Sequence, residues 1–154
     1  MTRTGSTKTV PKDHWRGRLA KARGFLKLAR NGIDLHDPGD DPDVYCAALV
    51  KAAIGYADAL TAATRQKVNQ QDHKAIVQLL RDGFGNKLPK AIETKLTIIM
   101  SRKDEVEYGA KLGRMDQARR MLDDTEALAE WAEAQLAAMF PGQTAAIAPS
   151  TEED

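Results

Sequence analysis

"DPDVYCAALVKAAIGYADALTAAT", Asp41 to Thr64, carries two apolar stripes at helical spacing. Tyr45, Leu49, Ala52, Tyr56, Ala59 and Ala63 make one, and Ala47, Val50, Ile54 and Ala57 make the other. Steps of three and four place each set along one side of a helix. A helix that is apolar on two sides must touch neighbours on both, so this segment is expected at the centre of a bundle. Its small residues permit those neighbours to come close. Asp41 followed by Pro42 suits a cap and a first turn, which sets the expected helix at 41–64.

Other segments supply the partners that such a helix needs. Trp15, Leu19, Ala22, Leu26, Ala29 and Ile33 form one stripe, expected on a helix over 11–31 that opens at Pro11 and closes near Asn31-Gly32. Ile76, Val77, Leu79, Leu80 and Phe84 suit a short helix over 70–83, with Asn69 and Asp72 as its capping pair and "DGFGN" as its stop. Leu88, Ile92, Leu96 and Ile99 start a helix expected to continue through Val106 and Tyr108, giving 88–108 with a kink near Ser101. The cleanest repeat is Met115, Ala118, Leu122, Thr125, Ala129, Ala132, Leu136 and Met139, a helix over 115–139 with a straight seam. No segment alternates like a strand. The expected fold is an all-α, up-and-down bundle of four to five helices over 11–140. A flexible basic arm (1–10) precedes it and a disordered acidic tail (141–154) follows.

Composition narrows the setting. The chain has 154 residues, 42% hydrophobic and 29% charged, enough for one core without staples. The uninterrupted apolar runs are only a few residues long, so no membrane span is expected. No apolar stretch follows the basic N-terminus, so no signal peptide is expected either. Cys46, the single cysteine, lies among apolar residues and reads as a buried thiol in a reducing cytoplasm. No Cys/His cluster or phosphate loop is visible, and "DPGDDPD" lacks the alternating acids of a calcium loop, so neither metal nor cofactor is expected.

The net charge of +1 conceals an asymmetry. Residues 1–30 hold nine Lys/Arg against Asp13 alone, whereas from Arg114 onward three Arg face nine acids. Arg16, Arg23, Lys27 and Arg30 lie away from the apolar stripe of their helix. They suit RNA or DNA phosphate, bound by counterion release. The competing reading is that this basic helix lies beside the acidic last one, where Asp123, Asp124, Glu126, Glu130 and Glu133 are clustered. No aromatic residue interleaves the basic positions as a stacking platform.

Three segments in order resemble the HEPN superfamily of helical bundles. They are "AALVKAAIGYADALTA", "NQQDHKAIVQLL" and "KLTIIMSRKDEVEYGAKLGRMDQARRMLDDTEALAEWAEAQL", together covering about residues 40–137. The resemblance implies a bundle that is commonly a homodimer, here expected to pair through its Ala-rich faces. It also implies a toxin–antitoxin or defence setting, in which some members are metal-independent ribonucleases. Others are non-catalytic modules that bind nucleic acid, nucleotides or a protein partner such as a nucleotidyltransferase.

Catalytic members carry Arg, four to six residues, then His near the start of the last long helix. The His would move a proton and the Arg would stabilise phosphoryl charge. From Met115 onward this chain has no His at all. Arg65 and His73 are separated by seven residues at an earlier joint; Arg30 and His36 are separated by five, between the first helix and the Asp-rich loop. The expected function is therefore a non-catalytic interaction module, with a ribonuclease bearing a degenerate Arg/His site as the alternative. His73, Lys103 and Tyr108 join the basic-helix residues as candidate binding positions. Lys103 and Glu107 are spaced to pair, and Tyr108 is expected to pack with its hydroxyl at the rim.

Overall fold

The computed structural model describes residues 7–70, 73–145 and 147, and these form an all-α bundle around one central helix. The helices are α1 (His14–Asp34), α2 (Asp43–Arg65), α3 (Ile76–Phe84), α4 (Lys90–Ser101), α5 (Lys103–Tyr108) and α6 (Met115–Met139). α2 touches all five others. Leu49, Val50, Ala52, Ala53, Ala57, Ala59 and Leu60 on it are fully buried, as two apolar stripes require. α2 is also long and apolar enough to cross a membrane, but most of it is covered by the rest of the bundle.

Most of the alanines of α2 (Ala48, Ala52, Ala53, Ala57, Ala59 and Ala62) are buried within the chain, whereas Ala47 and Ala63 are partly exposed.

α1 runs antiparallel to α2, because Arg18 meets Asp58, Ala22 meets Gly55 and Gly32 meets Tyr45. The α1 stripe continues past Gly32 because Ile33, buried with it, still faces α2, and the helix ends at Asp34. At the α2 N-terminus the Asp41 carboxylate accepts the backbone N–H of Asp43 (3.1 Å) and of Gly113 (2.9 Å). One capping residue thus also ties down the α5–α6 linker.

Two short strands depart from the strand-free reading. β1 (Thr7–Thr9) pairs antiparallel with β2 (Lys67–Asn69), in the register Thr7–Asn69, Lys8–Val68, Thr9–Lys67. Val10 extends the pairing by donating to the Gln66 carbonyl (2.9 Å). Residues 7–10 are therefore held, not a free arm: Val10 and Val68 are both buried. Gln66 turns the chain out of α2 at a left-handed φ of 52°. Glycine is the usual residue there, and its absence removes the sequence signal for the turn.

Asn69 consequently sits in β2 and caps no helix; its supposed partner Asp72 lies outside the described residues. The following helix opens as a 3-10 turn, His73–Ala75, before α3. The expected fourth helix is divided at Arg102 into α4 and α5. Tyr108 does not pack as expected: at the end of α5 it is 77% exposed.

Candidate binding face

Positions seven apart return to nearly the same side of a helix, and α1 uses this to present two flanks. Arg16, Arg23 and Arg30 face the α6 side. Arg23 donates to both carboxylate oxygens of Glu133, Nε to Oε2 at 2.7 Å and Nη2 to Oε1 at 2.6 Å. Its Nη1 reaches the Thr144 carbonyl (2.9 Å). Arg16 bonds to Gln143, and Arg30 lies 3.6 Å from Glu126. The two-pronged Arg23–Glu133 pair has the geometry that makes guanidinium–carboxylate contacts strong. Two of the arginines that the sequence offers to nucleic acid, Arg23 and Arg30, are thus paired with the acidic helix and Arg16 with the Gln143 amide beyond it, whereas Lys27 has no ion pair among the described residues.

Arg18, Phe25 and Gly32 face the other flank, toward Asp58, Lys51 and Tyr45 of α2. No third helix covers this side among the described residues. The seam is a groove of about 700 Å³ lined by Arg18, Lys21, Gly24, Phe25 and Leu28 of α1 with Lys51 and Ile54 of α2. Its floor is apolar, with Leu28 63% exposed, and its charged side chains are all cationic. Lys51 Nζ stands 6.0 Å above the Phe25 ring.

A buried polar cluster closes one end of the seam. Arg18 Nη2 lies 3.0 Å from Asp58 Oδ2, and the Asn69 backbone N–H also donates to the Asp58 carboxylate. Asp58 is only 6% exposed. Burial pushes its carboxyl up to about 6, against the opposing pull of Arg18 and that hydrogen bond. α1, α2 and β2 therefore meet on one carboxylate, which ties the two-stranded sheet to the helix pair.

The remaining expected residues are dispersed. Arg30 points at α6, while His36 Nδ1 sits 3.3 Å from the Tyr45 hydroxyl in the Asp-rich loop. Arg65 lies with its stem against Gly83, at the far end of α3, whereas His73 heads the 3-10 turn before that helix. The helical rise puts these two ends about 15 Å apart along the axis. Neither Arg/His pair is brought together. Lys103 and Glu107 do pair (2.9 Å), and Lys103 also lies 5.6 Å from the centre of the Tyr108 ring. Cys46 is buried and its thiol is pushed up to about 11, which keeps it protonated and unreactive.

Lys21, Phe25, Leu28, Lys51 and Ile54 were missed as a group. Leu28 stands off the apolar stripe of a basic helix, and Lys51 interrupts an otherwise apolar one. Those two exceptions are the only local signal of the groove. No family model matches the chain, and no curated protein matches it.

Proposed function

We propose that the chain is a non-catalytic, HEPN-like interaction module that binds a protein partner through the open α1/α2 face. The observation that carries this reading is the division of labour on α1. Arg16, Arg23 and Arg30 are spent on α6 and the residues after it, while the opposite flank leaves an apolar groove uncovered. An exposed apolar floor with a polar rim is the surface signature of a macromolecular contact.

The ribonuclease alternative has less support, because each Arg/His pair is split between different surroundings. Incubation with RNA in EDTA tests it. The expected result is intact RNA. Cleavage that disappears in both His36→Ala and His73→Ala would overturn the non-catalytic reading. Nucleic-acid binding is likewise expected to be weak and to change little in Lys27→Glu; a steep, salt-dependent loss in that variant would restore the basic-helix surface.

We assign the homodimer implied by the resemblance to the α4/α6 side. Ile98, Ile99 and Met121 line a smaller groove there, and Ile98 is 48% exposed. Its charges have both signs, with Arg102 bonded to Gln117 and Asp124 to Lys95. A second copy would meet charges of both signs on this side, Arg102 and Arg120 against Asp124. Light scattering is expected to give twice the chain mass, falling to one in Ile98→Glu and unchanged in Leu28→Glu. The reverse pattern would move the dimer to the α1/α2 seam.

A further inference from the structure

We infer that the occupant of the α1/α2 seam is an acidic amphipathic helix of a partner protein, a refinement that rests on the interaction-module reading above. Shape supplies the first argument. Two antiparallel helices lying side by side leave a straight furrow, and a third helix laid into it continues the packing of the bundle. The groove is lined by Lys21, Phe25 and Leu28 of α1 and by Lys51 and Ile54 of α2, and helical spacing continues its two sides through Gly32 to Leu35, the residue that ends α1, and to Val44, Ala47 and Asp58 on α2. Both sets run at alternating steps of three and four. From Val44 to Asp58 this frame is about 21 Å long, room for a helix of roughly four turns.

Apolar exposure marks the same strip. Leu28 (63%), Leu35 (83%) and Val44 (65%) are half of the six large exposed hydrophobic side chains among the described residues, and all three belong to these two sets. An occupant must therefore bring its own apolar stripe.

Charge selects among the possible occupants. Arg18, Lys21 and Lys51 line the groove, and the only carboxylate in the two sets, Asp58, is buried beneath Arg18. A second copy would oppose these cations with the same cations. Single-stranded nucleic acid would satisfy them, but it binds on successive aromatic platforms. Here Phe25 is the sole aromatic ring of the groove lining, among aliphatic neighbours and beneath Lys51. Carboxylates flanking a Leu/Ile stripe match both the floor and the rim.

The test is selection from a displayed library of helical peptides about 20 residues long, five to six turns, with the charged positions randomised between Asp/Glu and Lys/Arg. The full chain serves as bait. Captured sequences are expected to be enriched in Asp/Glu beside an apolar stripe. A captured peptide should bind on the order of tenfold more weakly to Lys21→Glu/Lys51→Glu and to Leu28→Glu. It should bind Lys27→Glu, on another face of α1, unchanged. Selection on Lys21→Glu/Lys51→Glu should instead favour Lys/Arg.

Peptides captured on the seam without acidic enrichment would overturn this inference while leaving the interaction module intact. No peptide sensitive to Leu28→Glu would overturn both. Two further outcomes would replace the occupant. Tighter, variant-sensitive binding of a poly(U) strand would point to nucleic acid. A rise in peptide capture on deletion of residues 148–154 would show that the chain's own acidic end fills the seam.

Discussion

Gly55→Leu is expected to cost at least about 3 kcal/mol, a large share of the about 5–15 kcal/mol that holds an ordinary domain folded. A Cβ at Gly55 would stand 2.9 Å from the Ala22 Cβ and 3.2 Å from its Cα. The obstacle is helix α1 itself, not the flexible end of a side chain, so relief requires the two helices to separate. Separation would loosen the tight contacts of Leu19, Leu26, Leu49 and Tyr56, all of which are now buried. Gly55→Ala should fall between the wild type and Leu, since the gain in helix propensity partly offsets the clash.

Gly17 gives the opposite sign. It lies in α1 with nothing within 4 Å of its Cβ direction, so Gly17→Ala should stabilise by about 0.5–1 kcal/mol. Denaturant titration of the three variants checks the ordering. A Gly55→Leu protein as stable as wild type would show that the α1–α2 approach has been misassigned. Because this contact sets the separation of the helix pair, Gly55→Ala should also alter the width of the groove.

The second large effect concerns Asp58 and pH. Its carboxyl titrates near 6 in the folded chain, above the ordinary 3.8, because burial outweighs its attraction to Arg18. The folded state therefore holds this proton more tightly than the unfolded state does. The resulting stability is complete below pH 4 and is lost as pH rises through about 6. The loss amounts to about 2–3 kcal/mol by pH 7.

Other carboxylates contribute with the opposite sign, so the comparison is made against Asp58→Asn. The wild type minus variant difference in unfolding free energy should fall by that amount between pH 4 and pH 7. Asp58→Ala should be less stable than Asp58→Asn, because it also deprives the Asn69 N–H of its acceptor and leaves Arg18 unpaired. A difference that is flat with pH would show that Asp58 keeps an ordinary carboxylate affinity.

Much of this architecture can be read from residue spacing. The two stripes of Asp41–Thr64 require a central helix, and α2 touches every other helix. The repeat from Met115 to Met139 matches α6 at both ends. The strands were illegible for a definite reason. Each has three residues, so alternation has no length in which to show, and the turn at Gln66 lacks the glycine that would announce it. Asn69 misled for the same reason. It is a good capping residue type, but the chain is paired with β1 at that point, so no helix begins there.

The candidate face divides in the same way. The basic helix and the acidic last helix are evident from sequence as complementary charges, but that alone does not say whether they meet each other or a ligand. Arg23 clasping Glu133 answers that question for one flank of α1. The groove on the other flank depends on the angular position of Lys21, Phe25 and Leu28 relative to Lys51 and Ile54 across two helices.

By itself the sequence determined the helices, their apolar sides, the central place of α2 and the imbalance of charge. These are local consequences of backbone periodicity and side-chain hydrophobicity. Only the tertiary structure decided which arginines are spent within the chain, that Asp58 is buried against Arg18, and that the α1/α2 flank stays open. Each of these depends on how segments far apart in the chain share a limited surface, and periodicity along one helix carries no record of what lies across from it.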